Sequence, residues 1–183
     1  MGFVRRVWQS AALLLALAHA MPARCETAGA YELMALYTYN FAKFTTWPAR
    51  GQAPPDAPLN LCVLGEDPFG TALTNIEGQR VQNRSLAVKR FPRVALLGDC
   101  HIVFVSRSEQ WRLDAILNNL AALPILTVSD IPDFSKRGGM ITLVLADQKL
   151  RFDINAAAVE RSGLKLSSKL LELARIVDAG GAR

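Results

Sequence analysis

The residues best equipped for chemistry are three cysteines, Cys25, Cys62 and Cys100, two histidines, His19 and His101, and the aspartates Asp130 and Asp133. A catalytic thiolate or hydroxyl needs an adjacent base. His101 stands at the edge of an apolar strand pattern, where a lone histidine is more often structural than basic in function. A structural zinc site needs four ligands, and one histidine with two cysteines expected to be bonded does not complete a tetrahedron. Asp130 and Asp133 could approach each other as a hydrolytic carboxylate pair, although acidic residues at turns commonly serve as caps. No nucleophile elbow, phosphate loop or dinucleotide fingerprint occurs, and Gly65-x-x-x-x-Gly70 lacks the Gly-Lys-Ser/Thr continuation. These residues predict no catalytic site, no metal and no cofactor.

The other polar candidates lie where an open α/β sheet places its ligands, in the loops that follow strands. They are Asp67, Phe69 and Gly70 in the first such loop, Ser106 and Arg107 in the second, and Ser129 and Asp130 in the third. Backbone N–H groups at helix starts, with the Arg107 guanidinium among them, would suit a small anion. The alternative is that these are ordinary caps and turn residues.

The elements that must position them follow from patterning. Tyr31 to Thr45 has apolar residues at helical spacing, and Trp47-Pro48 ends the helix. Leu59–Leu64 reads as a strand, Phe69–Ile76 as a helix capped by Asp67, Ser85–Phe91 as a half-exposed strand and His101–Val105 as a buried one. A serine-capped helix over Glu109–Ala121, a strand at Ile125–Val128 and a helical turn at Phe134–Arg137 come next. Met140–Leu145 and Lys149–Ile154 form a hairpin about Ala146-Asp147-Gln148. Helices at Asn155–Arg161 and Leu166–Val177 close the chain. The alternation predicts an α/β fold: a three-layer α/β/α sandwich with a mostly parallel sheet and a C-terminal antiparallel hairpin as its edge. Tyr37, Tyr39, Phe41, Phe44 and Trp47 crowd the first helix and its end, as a partner or dimer surface or as packing across the sheet.

The first twenty residues read as an export signal. Arg5 and Arg6 precede the apolar run Ala11–Ala18, and Ala18-His19-Ala20 is a cleavage site. Residues 21–30 would be a flexible new N-terminus, 31–178 the single domain and 179–183 a frayed tail. Loss of Arg5 and Arg6 takes the formal charge from +5 to +3, with no basic run, so nucleic acid is not the expected partner. In an oxidising compartment Cys62 and Cys100, both in strand patterns, are the favoured disulfide and Cys25 the odd thiol; two buried reduced cysteines are the alternative.

Five stretches together resemble the YfiR family of periplasmic regulators: YELMALYTYNFAKFTTWP (31–48), LNLCVLGEDPFG (59–70), CHIVFVSRSE (100–109), LPILTVSDIPDFSKRGGMITLVLADQKLRFDINAAAVERSGLKLSS (123–168) and KLLELARIV (169–177). The resemblance implies a non-enzymatic α/β/α sandwich, often dimeric. It implies a repressor that binds the periplasmic sensor portion of an inner-membrane diguanylate cyclase, lowers cyclic di-GMP and restrains biofilm formation. By position, Cys62 and Cys100 match the family's first disulfide. The second bridge of the best-known member has no counterpart, because no cysteine follows Cys100. A second functional class, a periplasmic sensor subunit for a small anionic or nucleotide-like ligand, would use the strand-end crevice with Arg107 as its anion contact.

Overall fold

The computed structural model describes residues 23–48, 56–92 and 94–178. The export signal over 1–20 and the tail over 179–183 lie outside these residues. In chain order the elements are α1 (Ala23–Lys43), β1 (Thr45–Thr46), β2 (Leu59–Leu64), β3 (Arg80–Val81), β4 (Arg84–Phe91), β5 (Ile102–Val105), α2 (Leu113–Leu120), β6 (Leu126–Ser129), β7 (Ile141–Ala146), β8 (Lys149–Ile154), α3 (Ala156–Arg161), β9 (Lys165–Leu166), α4 (Ser168–Glu172) and β10 (Arg175–Ile176). Short 3-10 segments occupy Ala72–Asn75, Val94–Asp99 and Arg107–Arg112.

Eight strands form one sheet in the order β10-β8-β7-β6-β5-β2-β4-β3. The neighbours are parallel except β7 with β8 and β3 with β4. β1 and β9 make a separate antiparallel pair. Because side chains alternate across a strand, β2 feeds two cores: Leu59, Leu61 and Val63 join one, and Cys62 and Leu64 the other. α1 and α3 cover the first face through Met34, Phe41, Ala158 and Val159, and α2 covers the second through Leu113, Ile116 and Leu120. β2, β5 and β6 are buried at every position, which is why β5 is an unbroken apolar run and β2 a mostly apolar one. The α/β class and its three layers agree with the alternation in the sequence.

Several elements differ from the sequence reading. α1 begins at Ala23, within the stretch expected to be flexible, and not at Tyr31. The helix expected over Phe69–Ile76 shrinks to a 3-10 turn. Asp67 Oδ1 accepts from the Phe69 N–H at 2.8 Å, closing a tight loop, and Gly70 takes the left-handed conformation at φ 55°. The expected helix at Glu109 opens as 3-10, with Ser106 Oγ accepting from the Ser108 N–H, before α2 begins at Leu113. Phe134–Arg137 is a turn whose fit depends on Gly139: a Cβ there would lie 2.2 Å from the Phe134 ring.

The hairpin is not the sheet's margin, because β10 pairs with β8 outside it. Its turn is the two-residue left-handed pair Asp147-Gln148 (φ 51° and 58°), a twist that suits antiparallel strands. The expected helix over Leu166–Val177 is broken into β9, α4 and β10. Ser167 caps a new helix through its Oγ, while Arg175 and Ile176 pair with Asp153 and Ile154. Sheet pairing there overrides the helical spacing of the apolar residues.

Candidate functional site

Cys62, in the middle of β2, and Cys100, just before β5, are joined by a disulfide with Cα atoms 6.0 Å apart. Both are fully buried in the core beneath α2. β2 and β5 are adjacent and parallel, so the bond staples neighbouring strands.

The loops after β2, β5 and β6 meet at the carboxyl end of the sheet. Asp130, immediately after β6, is 3 % exposed. Arg107 donates from Nε to its Oδ2 at 2.7 Å and from one Nη to its backbone carbonyl at 3.1 Å. The Tyr31 hydroxyl donates to the same Oδ2 at 2.9 Å. Asp130 Oδ1 is buried with no hydrogen-bond partner among the described residues. Burial, then the charge of Asp130, pushes the Tyr31 phenol up to about 12, with Arg107 opposing. The Tyr31 ring packs edge-on against Phe69, which packs in turn on Phe104 of β5. Ser129 Oγ donates to the Val105 carbonyl and accepts from the Ile131 N–H, a wholly internal use.

The structure thus unites Phe69, Arg107, Ser129 and Asp130 of the sequence candidates and leaves others apart. Ser106 caps the segment after β5. Asp67 is held by Arg90 at 2.6 Å. A Cβ added at Gly70 would meet nothing. Gly65, at φ 92°, is needed where two loops touch: a Cβ there would lie 2.4 Å from Ser108 Oγ, which accepts from the Glu66 N–H. Arg107 is compensated by Asp130, so the cluster offers an anion a neutralised contact. Tyr31 was absent from the sequence candidates, since its bond to Asp130 spans 99 positions.

Asp133 does not form a carboxylate pair with Asp130. Lys136 sits 2.6 Å from it, and that hydrogen bond, followed by the lysine's charge, holds Asp133 below the usual carboxylate range. A general acid needs the opposite shift. His101 is buried, its Nδ1 accepting from the Asn60 N–H at 3.2 Å and its Nε2 3.0 Å from an Arg84 Nη. Among the described residues no group of three or more His, Cys, Asp and Glu side chains could hold a metal ion.

A different concavity lies between α1, the β7–β8 hairpin and α4. It encloses about 820 Å³ and is lined by Tyr37, Phe41 and Phe44, by Leu150 and Phe152, and by Leu173 among others. Most of the aromatic crowd on α1 is packed internally. Phe41 is buried against Phe152, the Tyr39 hydroxyl donates to the Arg80 carbonyl, and Trp47 Nε1 donates to the His101 carbonyl. Phe44 is the exception at 40 % exposed, and across the groove Leu173 is 77 % exposed.

A family model described as YfiR/HmsC-like matches residues 31–175, from the tyrosine that reaches Asp130 to the arginine that begins β10. The chain belongs to the YfiR/HmsC-like family. That family comprises periplasmic regulators, not known enzymes, that act with membrane diguanylate cyclases. The YfiR/HmsC-like region contains both the strand-end cluster and every residue that lines the groove. No helix among the described residues is long and apolar enough to cross a membrane.

Proposed function

We propose that this chain is an exported repressor that binds the periplasmic portion of an inner-membrane diguanylate cyclase and lowers cyclic di-GMP. The observation that carries the reading is the family match across residues 31–175. Two features support it. The polar groups at the strand ends are mostly turned on one another, as in a fold built to hold a shape. At the groove Phe44 and Leu173 face outward, as on a surface built to be covered. The leader over residues 1–20 supplies export, and the Cys62–Cys100 bond suits an oxidising compartment.

Deleting the gene in its native host and restoring the full chain tests this. Cyclic di-GMP, measured by mass spectrometry of cell extracts, should rise on deletion and return to its starting level on restoration. Unchanged nucleotide in the deletion strain overturns the reading.

A further inference from the structure

We propose that the open margin of β8 takes an extended, acidic segment of a partner protein as an added strand. The proposal rests on the reading above that a protein partner exists. It begins with an incomplete ladder. β7 pairs with β8 along its whole length, from Ile141 opposite Ile154 to Ala146 opposite Lys149. On the other side β10 reaches only Asp153 and Ile154. Among the described residues, Lys149–Arg151 therefore has a strand on one side only.

The backbone at this margin points outward. The Val177 N–H donates to the Ile154 carbonyl at 2.9 Å, so the peptide groups of Ile154 face β10 and not β7. Alternate residues of an antiparallel strand face the same neighbour. Leu150 consequently aims its N–H and carbonyl to the same side, past the reach of β10. Such a row is a template for another chain, and it is normally covered or blunted.

The groove lies along this margin. Tyr37, Phe41 and Phe44 form one wall and Leu173 stands at the end, so alternate side chains of an added strand would enter it. Charge chooses the occupant. Lys149 and Arg151 flank Leu150, are exposed, and form no ion pair among the described residues. Asp153, the acidic residue of the same strand, is already taken by Arg175. An incoming strand with acidic residues matches the two free cations. A second copy of this chain would bring Lys149 and Arg151 against themselves, and like charges across a strand pair repel.

The probes are three synthetic peptides added to the purified full-length protein: one alternating glutamate with valine and isoleucine, one with lysine for each glutamate, and one interrupted by proline. Fluorescence anisotropy should show binding of the first alone, and amide exchange at Leu150 should slow when it is bound. Arg151→Glu should weaken that binding about tenfold, Arg151→Lys should keep it, and Leu173→Glu should weaken it, with each variant's melting curve unchanged. Equal binding of the lysine or proline peptide, no binding of the acidic peptide, unslowed exchange at Leu150, or a dimer through this margin would each overturn the proposal. In cells, Arg151→Glu and Leu173→Glu should raise cyclic di-GMP as the deletion does. If the deletion raises it and these variants do not, strand addition fails and the repressor reading stands. If the deletion itself has no effect, the repressor reading fails, while the peptide measurements still decide the margin.

Discussion

The strand-end cluster and the β8 groove face the same first core, yet they treat their surroundings in opposite ways. At the strand ends Asp130 is buried, Arg107 and Tyr31 converge on it, and Ser129 bonds inward. At the groove Phe44 and Leu173 stand exposed, and Arg151 has no ion-pair partner among the described residues. Residues that look chemical in the sequence hold the fold together here, and residues that look like core are presented to the outside. Exposed apolar side chains such as Phe44 and Leu173 are what a covering partner would bury.

If that contrast is right, damage to buried groups costs stability and damage at the groove costs almost none. The largest loss should follow replacement of both Cys62 and Cys100 by alanine. Opening a loop of 38 residues should lower stability by about 4 kcal/mol, read from urea unfolding. Arg107→Ala should come next. It leaves the Asp130 carboxylate buried without its counter-charge, at a cost of roughly 2 to 3 kcal/mol, and Arg107→Lys should recover part of it. A neutral Arg107→Ala would erase the distinction between the two regions.

Tyr31→Phe should cost about 1 kcal/mol by removing one donor to Asp130. It also carries a pH signature. The folded protein keeps the phenol proton up to about 12, whereas the unfolded chain releases it near the ordinary value of 10.0. The unfolded state then binds fewer protons, so stability falls as pH climbs from about 10 to about 12. Tyr31→Phe should flatten that limb of the curve. The smallest effect belongs to Leu173→Glu, within about 0.5 kcal/mol of the parent in the same unfolding assay. A large loss there would show that Leu173 belongs to the core and not to an open surface.

The fold was legible wherever burial on both faces wrote a mostly apolar run, as in Leu59–Leu64 and Ile102–Val105. The hairpin was legible through the turn chemistry between Ala146 and Lys149. β1, β3, β9 and β10 each have two residues. That is too short to show a period, and their existence depends on distant partners. For the same reason Leu166 and Ile176 read as helical until pairing claimed them. At the site, Arg107 and Asp130 could be named because both follow strands, but their union with Tyr31 could not, since nothing local links residue 31 to residue 130. The groove's walls come from three separated segments. Its one sequence signal was the surplus of aromatic residues near the end of α1, of which Phe44 remains outside the core.

One helix belongs to both regions. α1 carries Tyr31 to the buried carboxylate and, just beyond its end, holds Phe44 at the groove; at 1.5 Å per residue these points lie about 20 Å apart. No glycine or proline interrupts residues 31–43, so the rod has no built-in joint. It is fastened at one end by the phenol and at the other by the Ser167 N–H, which donates to the Phe44 carbonyl, beside the β1–β9 pair. Between these points Met34, Ala35, Phe41 and Ala42 are buried in the first core, so the cluster and the groove hang on one continuously packed element.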